Sequence, residues 1–241
     1  MHIAPTNNLA KNTYRNHTKE PCFGHGGESF WNSDYSTKDK MIVATTTALG
    51  VAGSLLTLSK CRGNSIKPKD FLRYLKTMPI KFTEVVTMGA GTCLGGLAGG
   101  YLIDKNPTNR KAKNREAIMQ MGNITIPIGT VKLADILADA FKVSKKTVKG
   151  KSIRAISSLG AIAGGIYLAN FAMNKLSNQI FNDKSQERGV KGTDLFPHID
   201  DVLASAGYIL PENKYVLYIQ RIVPFALMVA GNEIGNKKAE V

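Results

Sequence analysis

The sequence contains too few cysteines, and an odd number of them, for a disulfide scaffold. Only Cys22, Cys61 and Cys93 occur in its 241 residues, and three cysteines cannot all pair within one chain. The 23 glycines follow no Gly-X-Y period, which excludes a collagen-like helix. With 43% hydrophobic residues, the chain is also too apolar to be disordered throughout.

Recognisable catalytic motifs are missing as well. The chain has no G-x-S-x-G, no Walker-type phosphate loop, no H-E-x-x-H and no dinucleotide fingerprint. His17, Cys22 and His25 are three soft ligands without a second pair. His198 and the two aspartates after it read as the start of a helix. We therefore expect no enzymatic activity, no metal and no cofactor.

Acidic residues are scarce, with 18 Asp and Glu against 32 Lys and Arg and a formal net charge of +14. Such an excess can indicate nucleic-acid binding. Here, however, the basic residues lie mostly in short connections beside apolar runs, and no zinc-finger, RNP or helix-turn-helix signature is present. Attraction to anionic lipid explains the charge more simply. The expected partner is a lipid bilayer containing anionic lipid, and not a nucleic acid.

Three long runs contain no charged residue at all. They are residues 41–59, 85–103 and 155–174, and about 20 helical residues cross the hydrocarbon core of a bilayer. A surface helix of a soluble protein needs charge on its outer face. The pattern predicts an all-α, multi-pass transmembrane bundle, with a fourth span over residues 215–235.

Two further segments are less regular. Residues 117–140 begin with 15 uncharged residues that include Pro127, which fits a fifth span or a re-entrant, broken segment. Residues 69–78 place apolar and basic residues on opposite sides of a helix, which predicts an interfacial helix at the headgroups. The alternative for residues 69–78 is a linker helix packed on the protein's own core.

Residues 1–40 form a polar tail without the apolar stretch of a cleavable signal peptide. We expect this tail to be disordered and residues 41–241 to form the membrane domain. A four-span arrangement with the N-terminus inside places 19 Lys and Arg residues inside and 12 outside. A five-span arrangement with the N-terminus outside gives 15 on each side. The positive-inside rule weakly favours the first arrangement.

Glycines recur at intervals of four residues within the apolar runs. Residues four apart share one face of a helix, and a face without side chains lets another helix approach closely in lipid. In soluble helices each glycine costs about 1 kcal/mol relative to alanine, so the repetition indicates a packing role. We expect a tight bundle, and a homo-oligomer, packed through Gly91, Gly95, Gly99, Gly96, Gly100, Gly160, Gly164, Gly231 and Gly235.

Four ionisable residues lie in or near the apolar segments. Lys132, Asp135 and Asp139 share one predicted helix, and Arg221 lies in the last predicted span. An ionisable group inside a membrane usually pairs with another group or lines a cavity. We hypothesise that Arg221 faces Asp135 or Asp139, the alternative being that Arg221 extends to the interface.

These observations favour a non-enzymatic membrane scaffold or oligomer packed through glycine-rich helix faces. The first alternative is a small transporter or channel with polar groups in the broken segment 117–140. The second alternative is a soluble, Gly/Ala-rich helical protein that associates with membranes.

Overall fold

The structure is a computed structural model, and it describes residues 34–63, 70–71, 74, 80–182 and 214–239. All regular elements in these residues are helical, which confirms the all-α prediction for this part of the chain. Most of the predicted tail and most of residues 69–78 lie outside the described residues. The predicted tail is nevertheless too long at its C-terminal end, because the first helix already begins at Thr37.

Six α-helices have both of their ends within the described residues, and the fifth of them is short. They are α1 (Thr37–Cys61), α2 (Phe82–Ile103), α3 (Pro107–Ala140), α4 (Val148–Phe181), α5 (Lys214–Ile219) and α6 (Val223–Asn236), with a 3-10 turn at Gln220–Ile222 before α6. Side-chain oxygens cap three of these helices at the N-terminus. The caps are Ser36 for α1, Asn106 for α3 and Thr147 for α4.

Three of the helices are long and apolar enough to cross a membrane, namely α1, α2 and α4. They contain the three uncharged runs of the sequence. In α4 the helix extends well beyond the run at both ends. The predicted spans over residues 41–59, 85–103 and 155–174 therefore correspond to real helices of spanning length.

The fourth predicted span, residues 215–235, is not one continuous α-helix. It is divided among α5, the 3-10 turn and α6. Pro224, in the first turn of α6, has no N–H to continue the hydrogen bonding of a preceding α-helix. With 14 residues, α6 is about 21 Å long and is shorter than the hydrocarbon core.

The segment 117–140 is neither broken nor re-entrant. It forms the last two thirds of α3, which runs through Pro127 without interruption. Gly165 of α4 lies directly against Pro127, and the Thr130 hydroxyl donates to the carbonyl oxygen of Ala161 across the same interface at 2.7 Å. Close packing on α4 therefore keeps this segment helical.

The long helices pack in chain order as antiparallel neighbours. Gly89 and Gly100 of α2 contact Ile124 and Lys113 of α3, respectively, so the two helices run in opposite directions. The contacts of Gly50 with Gly91 and of Val43 with Gly99 show that α1 is antiparallel to α2. The contacts between α3 and α4 show in the same way that these two helices are antiparallel. A core of aliphatic side chains from α1, α2, α3 and α6 fills the centre, and a second core joins α3 to α4.

The last helix, α6, lies across α1, α2 and α3 and runs parallel to α2. Gly231 contacts Thr92, and Gly235 contacts Gly96, one turn further along both helices. We call the end of the bundle that holds Tyr35 and Lys238 the termini end. We call the opposite end, which holds Arg62 and Lys145, the hairpin end.

These directions differ from both predicted membrane arrangements. The four-span arrangement placed residues 104–116 and 142–154 on one side, but α3 carries them to opposite ends of the bundle. The five-span arrangement separated the two termini, but Lys238 Nζ lies 3.7 Å from Asp34 Oδ2. In the described chain, α4 ends at the termini end and α6 begins towards the hairpin end.

Candidate functional site

One face of α2 is packed against α1 through glycine. A Cβ atom on Gly91 would overlap the carbonyl oxygen of Gly50, and one on Gly95 would lie 2.8 Å from the Thr47 Cα. Gly99 lies against Val43 in the same way. The two backbones are therefore in contact, which no larger residue at these positions would permit.

A second face of α2 is packed against α6. A Cβ on Gly96 would lie 3.0 Å from the Gly231 Cα, and one on Gly100 would lie 3.0 Å from the Gly235 Cα. Glycines on both helices thus create this contact. Seven of the nine predicted packing glycines lie at contacts within one chain, so their faces are already covered.

Gly160 and Gly164 are different. A Cβ added to either would meet no atom of the described residues within 4 Å, because both lie on the outer side of α4. The neighbouring Gly165 faces α3 instead. Large apolar side chains flank the two glycines on the outer side and are exposed, including Ile156, Tyr167 and Phe171.

The predicted partner of Asp135 and Asp139 is wrong. Both aspartates pair with Arg154 of α4, whose Nη2 lies 2.5 Å from Asp139 Oδ1. Arg221 instead stacks on the ring of Tyr218, with its guanidinium carbon 4.4 Å from the ring centre. Lys132 stacks on Phe82 at 4.8 Å. Arg154 is the partner of these aspartates because α3 and α4 are antiparallel neighbours. This packing places Arg154 next to Asp135.

Arg154 closes the α3–α4 hairpin. It is 2% exposed, and its Nη2 also donates to the carbonyl oxygen of Val143 at 2.7 Å. Lys145 Nζ lies 3.0 Å from Asp139 Oδ2. Hydrogen bonds from Lys145 and then from Arg154 hold the pKa of Asp139 below its usual value.

A buried carboxylate pair joins α3 to α6, and sequence reasoning missed it. The Gln120 Nε2 donates to Glu116 Oε1 and to Glu233 Oε2, each at 2.9 Å. Both glutamates are 2% exposed. The spacing of Glu116 and Gln120, four apart on one helix, was a visible signal. Glu233 was hidden, because only the fold brings α6 beside α3.

Lys113 precedes Glu116 by about one turn of α3 and is fully buried. Its Nζ donates to the carbonyl oxygens of Gly235 at 2.8 Å and Lys237 at 2.6 Å. These are terminal carbonyls of α6, where the helix dipole favours a positive charge. The carbonyls and the Tyr35 hydroxyl, at 3.1 Å, replace the water that a buried ammonium group loses.

Tyr35 and Asp104 form a hydrogen-bonded cluster at the termini end. Tyr35 donates its hydroxyl to Asp104, which also accepts from the Asn109 side chain and the Asn106 backbone. Burial raises the pKa of Asp104, but these three hydrogen bonds and the nearby Lys113 outweigh burial, so the pKa is lower than usual. The segment before α1 is thereby tied to the start of α3.

No three His, Cys, Asp or Glu side chains among the described residues are placed to hold a metal ion. No protein-family model, curated protein or solved structure matches this chain. Only the chain's own residues therefore bear on what it does.

Proposed function

We propose that this chain is a multi-pass integral membrane protein with a non-enzymatic, scaffolding role. Three helices of spanning length support the membrane location. Many large apolar side chains of these helices point outward, where water would not favour them and lipid would. Examples on α1, α2 and α4 are Leu49, Leu94, Leu102, Ile156 and Phe171.

The proposed scaffold assembles through the outer face of α4. The observation that carries this step is the open glycine pair Gly160 and Gly164. The paired glycines of α2 and α6 are covered by a helix of the same chain, whereas no described residue covers this pair. Between helices in lipid, such small-residue faces promote association by close packing.

The outer face of α4 has the shape of a helix-packing stripe. Ile156, Gly160, Gly164, Tyr167 and Phe171 follow one another at intervals of three or four residues, so they lie on one face. The glycines form a groove with an apolar side chain above it and aromatic side chains below. A second copy of α4 is the proposed occupant of this groove.

A double substitution tests this assembly. Gly160→Leu with Gly164→Leu fills the groove without touching the contacts within the chain, and we expect it to convert oligomers into monomers. The matched control is Gly53→Leu on α1, where an added Cβ also meets no atom within 4 Å in the part of the chain that the structure describes. Stepwise photobleaching of the labelled chain in proteoliposomes counts the subunits. A monomeric wild type would refute the proposal.

A second candidate function is ion or proton transport, which the buried carboxylates favour. Glu116 and Gln120 lie between the points of α3 that face Gly100 and Gly89, and therefore within the length of the α2 span. Ionisable groups at such depth commonly mark transport pathways. Under this candidate, Glu116→Gln or Glu233→Gln abolishes proton flux in proteoliposomes, and Asp139→Asn at the hairpin end does not. Wild-type flux equal to that of empty vesicles would exclude this candidate.

A further inference from the structure

The tip of the α3–α4 hairpin, which we define as residues 133–149, carries a dense positive charge. Lys142, Lys145, Lys146 and Lys149 are all exposed there. Only Lys145 pairs with a carboxylate among the described residues. The two aspartates of the tip are also occupied by the buried Arg154, so the charge of the other three lysines is not balanced locally.

The same tip exposes large apolar side chains. Phe141 is 80% exposed and Val148 is 82% exposed, more than any other large apolar residue of the described chain. Leu133, Ile136 and Leu137 precede them on the outer side of α3. This helical spacing forms an apolar stripe that runs out to the lysines.

The tip extends past the start of α2. Lys132 stacks on Phe82, the first residue of α2, so residues 133–140 extend about 12 Å beyond the start of that span. The uncharged run of α4 begins at residue 155, directly after Arg154. With α2 and α4 spanning as proposed, the tip would leave the hydrocarbon core and cross the headgroup layer.

We infer that this tip binds the phosphate groups of anionic phospholipids, with Phe141 and Val148 inserted among the headgroups. Lysines beside exposed apolar side chains match the two chemistries of that layer. A nucleic acid would match the lysines but not the aliphatic stripe of Leu133, Ile136 and Leu137. The inference rests on the proposed membrane location and names the lipid class that this end of the protein contacts.

A tryptophan probe at the tip tests the inference. The chain has one tryptophan, Trp31, so the variant W31F/F141W reports on position 141 alone. The full-length protein is reconstituted in phosphatidylcholine vesicles, or in an equal mixture with phosphatidylglycerol. We expect stronger quenching by brominated phosphatidylglycerol than by brominated phosphatidylcholine in the mixed vesicles, and a blue-shifted emission that added salt reverses. The variant W31F/V148W provides an independent second probe.

Removing three lysines provides the decisive comparison. Each lysine is expected to contribute about a fivefold factor to the affinity for the anionic lipid. K142Q/K146Q/K149Q in the probe background is therefore expected to abolish the preference for that lipid. The matched control K38Q/K105Q/K111Q removes three basic residues from the termini end and is expected to retain the preference.

Three results would overturn the inference. The first is equal quenching by the two brominated lipids with both probes. The second is an unchanged preference in the triple lysine variant. The third is displacement by inorganic phosphate beyond the effect of sodium chloride at equal ionic strength, which would indicate a site for a free anion. Resistance to carbonate extraction is measured separately, so failure of the membrane location would be recognised as such.

Discussion

Individual buried ions determine how the helices of this protein are joined. Arg154 fastens α3 to α4 at the hairpin end, and Lys113 fastens α3 to α6 at the termini end. Each basic group is almost fully removed from solvent, and each is matched by several oxygens. Removing one partner from such a site lowers the free energy of unfolding by more than the pair contributes to it, because the remaining charge is left buried without a partner.

Arg154→Met is therefore expected to destabilise the protein by roughly 2 kcal/mol, a value reduced from that of a fully buried pair because Asp139 is half exposed. The matched variant Lys145→Met removes a partner that is itself 43% exposed and is expected to cost less than about 0.5 kcal/mol. Unfolding in mild detergent measures both changes. Equal losses for the two variants would contradict the role given to Arg154.

Asp139 gives the hairpin end a dependence on pH. Its pKa is lower in the folded protein than usual, through its hydrogen bonds with Lys145 and Arg154. The stabilisation is therefore complete above the unfolded pKa of about 3.9 and is lost as the pH falls through the folded pKa. We expect the midpoint of thermal unfolding of Asp139→Asn to lie below that of the wild type at neutral pH. The two midpoints should converge in strong acid, and a gap that does not narrow would refute this account.

At the scale of the helices, glycine sets the distance between backbones. Gly95→Leu would force α1 and α2 apart at Thr46 and Thr47. We expect the free energy of unfolding to fall by roughly 3 kcal/mol or more, because overpacking at a backbone contact cannot be relieved by a rotamer change. Gly53→Leu, on the open side of α1, is expected to be nearly neutral in lipid. Thermal unfolding of the two variants in detergent compares them directly, and similar midpoints would show that the α1–α2 contact is not tight.

The course of α1, α2 and α4 could be predicted because the absence of charge is a local property of the sequence. The course of α3 could not, because its first turns carry Lys113 and Glu116, which become tolerable only beneath α6. The correct partner of Asp135 depended equally on the direction of a neighbouring helix. Arg154 ends the basic stretch 142–154, whose charge, like that of the other connections, attraction to anionic lipid explains from the sequence alone. No local pattern distinguishes Arg154 from its exposed neighbours.

On the scale of the whole molecule, the fold places the α1–α2 and α3–α4 connections at the same end. These connections hold seven and six Lys and Arg residues, respectively, while residues 1–40, 104–116 and 237–238 together hold twelve. From this excess of one basic residue we predict, by the positive-inside rule, that the hairpin end faces the cytoplasm. Asp34 and Lys238, which lie together at the termini end, would accordingly be on the opposite side of the membrane.

Cysteine labelling tests this orientation. Cys61 is exposed at the hairpin end and Cys93 is buried, so the variant Cys22→Ser offers a single reactive thiol. We expect an impermeant maleimide to label Cys61 only after the cells are permeabilised. The variant Cys61→Ser, which retains Cys22 in the segment before α1, should be labelled in intact cells. The reverse pattern would invert the orientation.

Alkaline carbonate extraction of membranes from expressing cells tests the central claim most directly. If α1, α2 and α4 cross the bilayer, the protein stays in the pellet and only detergent releases it. Release into the carbonate supernatant would contradict the membrane location. The outward-facing apolar helices would then belong to a soluble assembly that only associates with membranes.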